Sequence, residues 1–174
     1  MKKLHLLLLT LIALLVVPVA SFAVFTTEGV WTSVCSVGVI DEAGVGLYQF
    51  SGSNLLFANG TTGTIIARYN VVNTSNASGT QQPTWNTFEL GYTDTGAGAV
   101  GAFLYEVDPC TGEQTTICSF TAPNSAVGGS CTTCTFPSTT FDFERNLYFI
   151  TVAVVRTSTQ ANPIASTLRL YANP

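Results

Sequence analysis

From position 6 onward this sequence contains no lysine, no histidine and no methionine; both lysines, the one histidine and the one methionine fall within the first five residues. Each absence removes a class of chemistry. Without histidine, a Ser-His-Asp or Cys-His nucleophile cannot be assembled, and zinc loses its commonest nitrogen ligand. Without lysine there is no Schiff-base chemistry and no Lys–Asn isopeptide cross-link. Four scattered arginines remain as cations, Arg68, Arg145, Arg156 and Arg169. Binding to nucleic acid or to an anionic membrane needs clustered cations, which these positions do not supply. No stretch of ten residues or more after residue 23 carries a helical period.

What is present begins with an export signal. Lys2 and Lys3 precede an apolar run from Leu4 to Val17, Pro18 ends it, and Ser21-Phe22-Ala23 has the small-x-small form of a cleavage site. The expectation is a cleavable signal peptide over 1–23 and one domain over 24–174, secreted to an extracellular or periplasmic setting with no membrane attachment after cleavage. That domain holds four arginines against ten carboxylates, a formal charge of −6, and 25 threonines suited to the wet faces of strands.

Short apolar runs separated by Gly, Asn, Ser, Thr and Pro clusters predict an all-β protein, a single antiparallel β-sandwich of jelly-roll type. Strands are expected at 34–40, 46–50, 54–57, 64–73, 87–92, 100–107, 114–120, 139–143, 147–157 and 166–171. Residues 73–83 and 123–137 read as long loops. Around Pro109-Cys110-Thr111-Gly112 a hairpin turn is expected. The run from Leu147 to Arg156 is largely apolar on both faces, so it predicts a central strand covered on both sides. In 166–171, Leu168 and Leu170 alternate with Thr167, Arg169 and Tyr171, as in a half-exposed strand.

Five cysteines in an exported chain predict structural disulfides. Cys110 and Cys118 are expected to pair across to Cys131 and Cys134, with a direct Cys110–Cys118 bridge as the alternative and Cys35 left over, buried or available for a link to another molecule. The Cys131-Thr132-Thr133-Cys134 spacing matches redox and metal motifs. Thr135 stands where a haem-attachment site needs histidine, and no second such pair completes a zinc site.

Three further constellations carry chemistry. Glu89, Glu106, Asp142 and Glu144 are candidates for a carboxylate pair of glycosidase type; Glu106 shares a face with Val100, Ala102 and Leu104, and Asp142 shares one with Glu144 if the chain there is extended. Asp41-Glu42 and Asp94-Thr95-Gly96 are oxygen donors of the kind calcium accepts, so no cofactor is expected beyond a structural calcium. Trp31, Tyr48, Trp85, Tyr92 and Tyr105 offer flat apolar faces to sugar rings; the competing expectation is that Trp31 and Trp85 plug the ends of the sandwich.

The run Phe141-Asp142-Phe143-Glu144-Arg145-Asn146-Leu147-Tyr148-Phe149 into Thr157, followed by Leu168-Arg169-Leu170, resembles the last strands of secreted bacterial jelly-roll proteins. The segments Ala67-Arg68-Tyr69-Asn70-Val71, Phe88-Glu89-Leu90-Gly91-Tyr92 and Leu104-Tyr105 extend it. The resemblance implies a fold and an exported setting and carries over no functional residue. The expected function is a secreted, non-enzymatic β-sandwich module that binds a ligand, with carbohydrate first. A self-associating structural or adhesive surface protein is second, and a small carboxylate-dependent hydrolase third.

Overall fold

The computed structural model describes residues 29–75, 81–94, 96, 98–123 and 128–173. The signal-peptide segment lies outside them. Among the described residues no helix is long and apolar enough to cross a membrane.

Among the described residues, eleven strands form two antiparallel sheets. They are β1 (Trp31–Val34), β2 (Val39–Ile40), β3 (Tyr48–Ser51), β4 (Asn54–Phe57), β5 (Gly63–Val71), β6 (Thr87–Thr93), β7 (Gly98–Val107), β8 (Gln114–Thr121), β9 (Ser130–Thr135), β10 (Leu147–Arg156) and β11 (Ile164–Tyr171). One sheet has the order β3-β4-β11-β6-β9, with β1 also on β11; the other has the order β2-β5-β10-β7-β8. The β3–β4 and β7–β8 hairpins stay within a sheet, and every other connection crosses between the two. This is the two-layer, crossing-over β-sandwich that the alternating pattern predicts.

Period-2 burial builds the core. From the six-stranded sheet, Leu55, Phe57, Phe88, Leu90, Leu168 and Leu170 point inward. Ile65, Ala67, Val100, Ala102, Leu104, Ile150, Val152 and Val154 meet them from the other sheet. Arg156 ends the inward row of β10 over the Phe57 ring, at 5.7 Å. Its guanidinium donates to the carbonyls of Ser158, Thr159 and Ala58 at 3.3, 2.6 and 3.4 Å. A buried cation is tolerated here because carbonyl oxygens replace its water. The β7–β8 turn is closed by Asp108, whose Oδ1 accepts from the backbone of Cys110 and Thr111, with Gly112 at φ 73°.

Three expectations are corrected. Residues 34–40 break into β1, a 3₁₀ turn at Cys35–Val37 and β2. Residues 139–143 form turns instead of a strand: Thr140 N–H donates to Pro137, and Arg145 and Asn146 N–H to Asp142. Alternating Phe141 and Phe143 mimics a strand, but their rings stack 5.8 Å apart at the end of the sandwich. Conversely, 123–137 is not one loop. It contains β9, which lies along β6 from Tyr92↔Ser130 to Thr87↔Thr135.

Edge strands β8 and β9, one from each sheet, are joined by a Cys118–Cys134 disulfide. The bridge holds the sheets together where no hairpin does. With the cysteines 16 positions apart in sequence, closure is worth about 3 kcal/mol. A Cys118→Ala/Cys134→Ala variant is therefore expected to melt roughly 6–12 °C lower, measured by circular dichroism without reductant. An unchanged Tm would show that the staple adds nothing.

Candidate functional site

The two outer faces differ in chemistry. On the six-stranded sheet the outward row Thr32–Arg169–Glu89–Thr133 follows from the strand register. Arg169 pairs with Glu89 at 3.1 Å and lies over the Tyr171 ring at 5.0 Å. A groove of about 340 Å³ between β1 and β11 is lined by Thr32, Ser33, Val34, Thr167, Leu168 and Arg169. It has no aromatic floor, and its one charge is already matched.

The outer face of the five-stranded sheet is apolar and aromatic. Central strand β10 buries alternate residues and leaves Leu147, Phe149, Thr151, Ala153 and Val155 outward, with Leu147 59% exposed and the rest half-buried. The expectation of cover on both sides is thus met on the inner face only. Across β10, Phe149 stands between Asn70 of β5 and Tyr105 of β7, and Thr151 between Arg68 and Phe103. Three rings form a nearly parallel row. Phe103 and Tyr105 are 6.2 Å apart at 14°, and Tyr105 and Phe149 are 4.9 Å apart at 21°. Beside them an open groove of about 460 Å³ is lined by Val39, Arg68, Tyr69, Asn70, Val107, Gln114 and Phe149.

Polar groups enter this groove from defined places. Two-residue β2 sets Val39 opposite Arg68. Just beyond it, the backbone N–H of Asp41 donates to Ile66 O at 2.9 Å, and its carboxylate meets Arg68 at 2.9 Å. The Arg68 guanidinium holds the Asp41 carboxyl below its ordinary range. Asn70 and Gln114 add amides. The arrangement suits a ligand with apolar patches and several hydroxyls: rings for the former, amides and the ion pair for the latter.

Of the aromatic residues expected to bind, Tyr105 alone lies here. Trp85 is fully buried, edge-on to Phe141 at 5.1 Å, with its indole N–H donating to Gly29 O at 2.8 Å. Trp31 and Tyr92 are buried as well, and the Tyr92 hydroxyl donates to Pro123 O at 2.8 Å. These three rings pack into the core and offer no face to a ligand. Tyr48 is half-buried on β3 with Phe50, 5.0 Å away, in the sheet that does not carry the aromatic row. Phe103 and Phe149 carry no mark in the sequence that sets them apart from core aromatics. What signal there is lies in placement: an aromatic two residues from Tyr105 and an aromatic on the second apolar face of 147–156.

Half of the expected cross-pairing forms. Cys118 and Cys134 bond, whereas Cys110 and Cys131 are exposed thiols. Cys131 lies three residues from the bridge toward one end of β9, and Cys110 lies eight residues from it beyond the opposite end of β8. At about 3.3 Å per residue along each strand, these positions lie far beyond the reach of a bond. Cys131 and Cys134 also point to opposite faces of β9, so the motif cannot close on itself as a redox pair. Cys35 is buried, the Tyr69 hydroxyl donates to its carbonyl at 2.7 Å, and burial pushes its thiol up to about 12. It is an inert core residue, not the link to another molecule.

The candidate carboxylates form no single group: Glu89 lies on the six-stranded sheet, whereas Glu106 and the backbone of Asp142 meet at the Tyr148 hydroxyl. Glu89 is held by Arg169, and Asp142 by Arg145 at 3.6 Å and by the backbone of Glu144. Because 139–143 is not extended, Asp142 and Glu144 do not share a strand face. Glu106 accepts from the Tyr148 hydroxyl at 3.2 Å. Of the calcium candidates, Asp41 is engaged by Arg68, and Asp94 Oδ1 accepts from Gly96 N–H at 3.1 Å. Among the described residues no group of three or more His, Cys, Asp or Glu side chains converges.

No protein-family model matches the sequence, and no curated protein does. Among solved structures, the chain is similar to the CBM36-1 domain of a multidomain xylanase from the hindgut metagenome of Trinervitermes trinervoides. Identity is 14%, covering 84% of this chain and 99% of that one, with a TM-score of 0.40. It is also similar to a family 11 carbohydrate-binding module from Clostridium thermocellum, solved in complex with a β-1,3-1,4-mixed-linked tetrasaccharide. There the identity is 12%, covering 87% and 92%, with a TM-score of 0.41. At that distance the likeness carries no weight for the ligand, which has to be read from the residues of the site.

Proposed function

We propose that this protein is an exported, non-enzymatic binding module that holds a neutral glycan on the outer face of its five-stranded sheet. The observation that carries this is the parallel row Phe103–Tyr105–Phe149 beside the Arg68–Asn70–Gln114 groove. Aromatic surface left half-exposed on an ordered sheet serves recognition more readily than stability. Sugar rings present C–H patches to it, and their hydroxyls meet the amides and the ion pair.

A second reading is favoured by the same apolar face and by the exposed thiols of Cys110 and Cys131: self-association in a structural or adhesive layer. One experiment separates the two. The purified oxidised protein is run in affinity gels containing hydroxyethyl cellulose, laminarin or galactomannan, and its mass is measured by light scattering with and without thiol alkylation. Retardation of a monomer by at least one neutral polymer is the expected result. A stable dimer retarded by none of them would replace the glycan reading with the second one.

A further inference from the structure

We propose that Asp41 sets the charge class of ligand that this face accepts: by pairing with Arg68 it restricts the groove to uncharged, hydroxyl-bearing chains, and its neutralisation opens the groove to acidic ones. The inference rests on the glycan reading.

Along the registered strands, Arg68 is the one charged side chain on the outer face of the five-stranded sheet among the described residues. Its neighbours there are Val39, Thr151, Asn70 and Ile66, none of which balances a cation. Asp41 does so from outside the face, at 2.9 Å, with both side chains 39–50% exposed. An exposed pair of this kind adds little to stability, so its placement at the groove calls for another role. Paired, the guanidinium and carboxylate present a donor and an acceptor side by side, which suits adjacent hydroxyls and leaves no net charge. Unpaired, Arg68 would be a guanidinium fork aimed at carboxylates. The whole chain carries a formal charge of −4, so a uronate polymer meets net repulsion, and the groove offers it no net attraction while Asp41 is ionised. The low-lying Asp41 carboxyl keeps it ionised at neutral pH.

The test compares wild type, Asp41→Asn, Arg68→Gln and the double variant in affinity gels with hydroxyethyl cellulose and with polygalacturonate, at low salt and at about 0.5 M salt. Asp41→Asn is expected to gain about fivefold in retention by polygalacturonate at low salt. The gain should vanish at high salt and in the double variant, and hydroxyethyl cellulose retention should show no such salt-sensitive gain. Circular dichroism checks that each variant folds. If wild type binds hydroxyethyl cellulose and Asp41→Asn shows no salt-sensitive gain, this inference falls and the glycan reading stands. If wild type already binds polygalacturonate as well as the neutral polymer, the inference also falls. If wild type binds no neutral polymer, both fall together.

Discussion

Trp85→Ala is expected to lower folding stability by about 3–5 kcal/mol while leaving the binding surface intact. The indole is fully buried and sits edge-on to Phe141 and Phe143, at 5.1 and 6.3 Å. Phe141 in turn contacts Phe136 and Tyr148, at 5.7 and 4.8 Å. Removing the indole leaves a cavity in the middle of this cluster and takes from the Gly29 carbonyl its shorter donor, leaving the Thr74 hydroxyl at 3.4 Å. Thermal unfolding should show a fall in Tm of roughly 6–20 °C. Measured well below the lowered Tm, neutral-glycan retention should match wild type, because Trp85 contributes nothing to the groove. A loss of retention in the folded variant would place Trp85 in binding after all. A Trp85→Phe variant, which keeps a ring but no N–H donor, should fall between the two in stability.

How legible each part was depends on whether its signal is local. Strand β4 coincides with the expected 54–57, and β5, β6, β7, β8, β10 and β11 lie within a few residues of their expected bounds, because each carries its own alternation of apolar and polar residues. Strand β9 does not. Ser130, Cys131, Thr132, Thr133, Cys134 and Thr135 contain no aliphatic side chain, and the inward position that matters is a cysteine whose apolar character comes from its bond to Cys118. The false strand at 139–143 failed in the opposite direction: Phe141 and Phe143 have the right period, but their partners are Trp85 and Tyr148 at the end of the sandwich rather than a neighbouring strand.

The candidate site was less legible than the fold because its parts meet only through pairing. Tyr105 could be picked out as an aromatic on a strand. Phe149 could not, since two apolar faces on 147–156 imply cover on both, and nothing local reveals that one face is open. Only the register Phe149↔Tyr105 between β10 and β7 turns the excess apolar face into a row of rings. The same holds for Arg68, whose meaning depends on a two-residue strand that brings Asp41 to it. The tryptophans drew attention by size, and size is also what makes a ring useful inside a core.

The opposite signature is expected at the open face. A Tyr105→Ala/Phe149→Ala variant should lose at least roughly 30-fold in affinity for whichever neutral polymer retards wild type, because it removes two of three rings at the centre of the surface. Its stability should change much less than that of Trp85→Ala. Both rings are half-buried and stack mainly on each other, at 4.9 Å, a contact worth about 0.5–1.5 kcal/mol beyond area. Phe50→Ala supplies the control, since Phe50 is an aromatic 43% exposed on β3 of the other sheet and should leave retention unchanged. The two readouts together assign the rings by role. A ring whose loss unfolds the protein without changing binding belongs to the core, as Trp85 does. A ring whose loss abolishes binding in a protein that still melts near the wild-type temperature belongs to the site. If Tyr105→Ala/Phe149→Ala instead retains full affinity, the row is only sheet surface and the binding reading loses the observation it stands on.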